Sequence, residues 1–163
     1  MRDLTTVAGM LRLLGRVAAA PPGPGQLAPA PAAVSERMAQ ALAFERQCTE
    51  HAGQHRKPNG ANPALARAYS AAAVRAATIT RHLGVAFDLS VKCAMTERGA
   101  PRSAAESLHQ RRHKAALAAL AEAEMEADRG HQEILGFATA IAAGPAEPPP
   151  SRPVAEPAAR GRR

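Results

Sequence analysis

Between Asn62 and Met95 the apolar positions recur in alternating steps of four and three. Leu65, Tyr69, Ala72, Ala76, Ile79, Leu83 and Ala86 follow that spacing, and Ser90 continues it. A repeat of about 3.5 residues stays close to the 3.6 of an α-helix, so these positions share one face. Asn62 offers a side-chain acceptor at the N-cap, and Pro63 follows where its missing N–H costs nothing. This is the longest amphipathic segment, and the rest of the chain is read around it.

A second helix is expected from Val34 to His55, capped by Ser35. Val34, Met38, Ala41, Leu42, Cys48 and Ala52 form its stripe and Phe44 lies on the flank. Arg56 to Gly60 ends it with a cation followed by helix breakers. The connection to Asn62 is short, which predicts antiparallel neighbours. Gly99 and Pro101 close the long helix, and Ser103-Ala-Ala-Glu106 fits a capping box that opens a third. This third helix runs to Asp128 and, past Gly130, to Ile141. The fold expected is all-α: an antiparallel helical hairpin plus a third helix, forming a three-helix core over residues 34–143.

The flanks read differently. Residues 1–17 form a short basic amphipathic helix, with Leu4, Val7, Met10, Leu11, Leu14 and Val17 opposite Arg2, Thr5, Arg12 and Arg16. Such a helix lies on a membrane surface, docks on a partner or covers part of a core. Its apolar run has the look of a secretory leader, but Arg12 and Arg16 interrupt it. Residues 18–33 are Pro, Ala and Gly with little else, the composition of a semi-extended linker. Residues 144–163 are Pro-rich with a basic tip and read as a disordered tail. No apolar run reaches the roughly 20 residues of a membrane span, and the expected location is cytoplasmic.

Composition sharpens the picture at two points. The chain is 46% hydrophobic but only 2% aromatic, and alanine supplies much of the apolar fraction. Alanine favours helix and close helix contact but buries little area. A core this lean points to pairing with itself or with another helical protein, in the manner of a coiled coil. The net charge of +7 favours acidic partners without choosing among them. Cys48 and Cys93 read as buried small apolar residues rather than as a disulfide.

Candidate chemistry is sparse. Glu106, His109 and His113 project within about 60° of one another on the third helix, a ligand set that zinc or non-haem iron uses. Their half-buried edge position is the competing explanation, as is a capping role for Glu106. Asp128-x-x-His131 is an imperfect second pair, and Glu45, Cys48, His51 and His55 share a face of the first core helix. Ile79 to Val85 resembles the first helix and turn of a helix-turn-helix, with Asp88 to Met95 as the recognition helix. That resemblance implies DNA binding, with Arg75, Arg81 and Lys92 on phosphates. The unbroken stripe argues instead for a helix that runs straight through Gly84, at a cost of roughly 1 kcal/mol relative to alanine. Late in the third helix Glu122, Glu124, Glu126 and Asp128 follow the earlier Arg111, Arg112 and Lys114. That order opposes the helix dipole and suggests a complementary neighbour, such as an antiparallel copy, where a solvated face is the simpler reading.

No nucleophile elbow, phosphate loop or dinucleotide fingerprint is present. The expectation is a non-enzymatic helical interaction or scaffold protein without a cofactor. It is expected to self-associate through Leu65, Tyr69, Ala72, Ala76, Ile79, Leu83 and Ala86. DNA binding and a helical metal site are the alternatives.

Overall fold

A computed structural model describes residues 3–16, 30–56, 62–96 and 102–144, with the side chains of Thr96 and residues 102–106 left aside. The expected linker falls largely outside these residues, and the tail almost wholly so. Among the described residues there are four α-helices and no strand: α1 (Leu4–Gly15), α2 (Pro31–His55), α3 (Pro63–Thr96) and α4 (Arg102–Ala143). No helix among them is long and apolar enough to cross a membrane.

The start of α3 is the one the sequence predicts. The Asn62 side chain accepts from the Leu65 N–H at 3.1 Å, and the helix continues for 34 residues. α2 begins earlier than predicted, at Pro31, with no side-chain cap. A proline at the first helical position lacks an N–H that would be orphaned there anyway, so Pro31 starts a helix where it was read as linker. Ser35 therefore lies inside α2 rather than at its cap. α4 likewise begins at Arg102, which places Ser103 within the helix, and it passes Gly130 without a break.

α3 is the central element. α2 and α4 both pack along it, with no close backbone approach between α2 and α4 themselves. The Arg75 contacts to Glu126 and Glu133 and the Cys93 contact to His109 fix α4 antiparallel to α3. α1 lies mainly on α4 and also reaches α3. Leu4, Val7, Ala8, Leu11 and Leu14 of α1 are all buried in the same cluster as the α3 stripe. All four helices thus share the core, in place of the three expected. At about 1.5–3 kcal/mol for each large side chain fully buried, α1 adds substantially to a core otherwise rich in alanine.

Two glycines allow the close approach. A Cβ on Gly15 would collide with the Ala127 side chain and lie 2.8 Å from the Ala123 carbonyl oxygen. One on Gly130 would stand 3.1 Å from Arg75 Cγ and 3.4 Å from Leu11 Cδ1. Gly130 therefore sits where α1, α3 and α4 converge.

Candidate interaction surfaces

The stripe expected to meet another molecule is filled from within the chain. Tyr69, Ala72, Ala76, Ile79, Leu83 and Ala86 are buried, and Leu65 is half-buried against the same core. Most of these side chains are small, so the neighbouring helices come close to the α3 backbone. Ser90, the last position of the stripe, is buried with no hydrogen-bond partner for its hydroxyl.

The opposite side of α3 is open. Val74, Val85 and Met95 are 64%, 49% and 70% exposed. Val74 and Val85 are three turns apart and fall within about 20° of each other around the helix axis. Met95 lies within about 80° of Val85 by the same rule. Arg67, Arg81 and Lys92 border this line and are exposed as well. The core periodicity does not mark Arg67, Val74, Val85 or Met95, whereas Arg81 and Lys92 are candidates of the DNA-binding alternative. The signal available was the set of large apolar side chains that lie off the main stripe.

Most of the acidic charges late in α4 find partners inside the chain. Arg75 donates through Nε to Glu133 at 2.7 Å and through Nη1 to Glu126, a side chain only 10% exposed. Hydrogen bonds to Glu126 first and Glu133 second hold the guanidinium charge and push its pKa further up. A raised folded-state pKa gives stability that is fully present below the ordinary arginine value. It adds no pH dependence near neutrality. Arg12 of α1 lies 3.1 Å from Asp128, and Arg16 lies 4.0 Å from Glu124. Glu124, Glu126 and Asp128 are thus met by cations of α1 and α3, while Glu122 is exposed.

The three cations of the DNA-binding alternative separate. Arg75 turns into α4, Lys92 bonds Asp88 at 2.6 Å, and Arg81 is exposed. Only Arg81 and Lys92 share the outer face. α3 is also continuous α-helix through Gly84, so the turn of a helix-turn-helix is not formed there.

The metal alternative is not assembled by what is described. His109 contributes its backbone carbonyl to the Cys93 thiol, which donates at 3.9 Å. His113 is half-buried with Nδ1 unpartnered, and the Glu106 side chain lies outside the described residues. Among the described residues no three His, Cys, Asp or Glu side chains are gathered as a metal would need. In the second grouping, His51 and His55 pack on the Tyr69 ring, with centroids 5.1 and 5.8 Å away and His55 nearly parallel to it. Cys48 is buried. Asp128 serves Arg12, and His131 Nδ1 is unpartnered.

Where α2 ends and α3 begins, His55, Arg56, Pro63, Ala66, Arg67 and Ser70 line a recess of about 530 Å³. Arg56 reaches across it and donates to Ser70 Oγ at 3.1 Å. Comparisons with protein-family models, curated proteins and solved structures found nothing that matches this chain, so the functional reading rests on these surfaces alone.

Proposed function

We propose that the protein is a non-enzymatic helical interaction module that self-associates through the outer face of α3. The observation that carries this is the placement of side chains on that one helix. Alanine fills much of its interior face, while Val74, Val85 and Met95 stand in water. At about 25 cal/mol per Å² of apolar surface, a second helix laid on this line recovers free energy that the isolated chain forgoes.

A second copy is the occupant that the spacing favours. Antiparallel pairing about a two-fold axis between Ile79 and Thr80 sets Val74 of one chain opposite Val85 of the other, and the reverse pair forms by symmetry. The same register sets Arg67 of one copy opposite Lys92 of the other, whose ammonium is held by Asp88 of its own helix at 2.6 Å. This keeps the self-association expected from the sequence but moves it from the inner stripe to the opposite face.

Sedimentation equilibrium of the full chain over a wide concentration range tests this. The expected result is a reversible monomer–dimer equilibrium that Val74→Ser combined with Val85→Ser shifts to monomer. A strictly monomeric wild-type chain at the highest concentration, or a dimer indifferent to the double substitution, would overturn it.

A further inference from the structure

We infer that the recess at the α2–α3 end is a binding site for a phosphate group, carried by a small organic phosphate or by a nucleic-acid strand. This does not rest on the self-association of α3. About 530 Å³ is within the usual range of small-ligand sites, roughly 300–1,000 Å³. Pro63 and Ala66 give the recess an apolar wall suited to an organic body. Its polar groups are almost all donors: two guanidiniums, the His55 ring and the Ser70 hydroxyl, which already accepts from Arg56 and keeps its own proton to give. A planar guanidinium fork matches two oxygens of a phosphate, which sets this donor group apart from a general preference for anions.

Among the described residues neither Arg56, Arg67 nor His55 takes part in an ion pair. α3 carries no acidic residue from Pro63 to Phe87, and the nearest one on α2 is the exposed Glu50. Arg56 has a structural explanation, because a cation is favoured at the C-terminal end of α2. Arg67 has none of that kind. It lies just past the first turn of α3, where the helix dipole gives a cation no support. An arginine with no ion pair among the described residues, beside a second arginine and an open recess, is the arrangement that an anion completes.

The test uses the full chain, with phenyl phosphate and inorganic phosphate as probes and amide NMR shifts as the readout. Tyr69 gives an independent signal: it is the only tyrosine in a chain without tryptophan, and it stacks on His55. Saturable shifts are expected at Arg56, Ala66, Arg67 and Ser70, with a matching change in Tyr69 fluorescence. Arg56→Gln with Arg67→Gln should weaken binding by about tenfold or more, as expected when charge-assisted bonds are lost. Arg46→Gln, on the exposed side of α2, should leave it within about twofold. Both recess arginines are exposed, so circular dichroism should show the double variant folded. Replacing both with lysine keeps charge without the fork and should fall between the two.

A short single-stranded oligonucleotide without terminal phosphate separates the sources. Tighter binding of the oligonucleotide, with shifts extending to Arg81, assigns the site to a nucleic-acid strand; preference for phenyl phosphate assigns it to a small ligand. Shifts that grow linearly and scatter over the surface, equal displacement by chloride, or unchanged affinity in the double glutamine variant would overturn the inference.

Discussion

The apolar side chains of α3 divide by size between its faces: the buried set is rich in alanine, and the exposed set includes valine and methionine. Facing inward, alanine recurs at positions 72, 76 and 86, Tyr69, Ile79 and Leu83 add bulk, and Leu65 and Phe87 are half-buried against the same core. Facing outward, Val74, Val85 and Met95 are larger than most of what is buried. Small residues inside let α1, α2 and α4 crowd one central helix, and Gly15 and Gly130 extend that device to the helices around it. The difference teaches that the amount of apolar residue in a helix says little about where its free energy is gained. An alanine-lined contact stabilises through close approach and an accumulation of dispersion contacts, whereas an exposed valine stabilises nothing until something covers it.

Substitutions on the two faces should therefore diverge. Ile79→Ala, at a fully buried position, is expected to cost about 2–5 kcal/mol in urea denaturation, while Val74→Ala should change monomer stability by less than about 0.5 kcal/mol. Comparable costs at the two sites would erase the distinction. Arg75→Ala should cost about 2–3 kcal/mol, because the nearly buried Glu126 would keep only Arg129, 3.6 Å away, as a partner. Gly15→Ala should cost about 1–3 kcal/mol by forcing α1 off α4, and hydrogen exchange should show the loss concentrated in α1. Gly84→Ala works the other way. A Cβ there meets only Met38 Sδ at 3.9 Å, so the variant should gain about 0.5–1 kcal/mol in thermal unfolding from helix propensity. A loss would mean that the glycine serves a turn after all.

Much of this architecture was legible in the sequence, and the reasons are local. Asn62-Pro63 placed the start of α3, and its 3–4 spacing named the buried stripe residue by residue. Periodicity tells which side of a helix is apolar but not what covers it, so the same stripe was read as an intermolecular surface. α1 illustrates the same limit. Its apolar face was plain, yet its place against α4 depended on Gly15, Gly130 and the pairing of Arg12 and Arg16 with acids over a hundred residues away. In the sequence Pro31 reads as linker because a proline ends one element as readily as it begins another. The histidines shared faces at ligand-like spacing, but spacing could not show that His51 and His55 would stack on Tyr69. The recess came from two segments that meet only in the fold, His55-Arg56 and Pro63 to Ser70, and neither carries a motif alone.

The central claim is that the outer face of α3, and not its inner stripe, is the surface that meets a second copy. The most direct test is the rate of maleimide alkylation of Val85→Cys and of Leu83→Cys as protein concentration rises, since Cys48 and Cys93 are buried and should react slowly. The account predicts that Val85→Cys reacts fast when dilute and becomes protected as the chain associates, while Leu83→Cys is protected throughout. Val85→Cys reacting equally fast at every concentration, with Leu83→Cys gaining protection only on association, would contradict it and return the interface to the inner stripe.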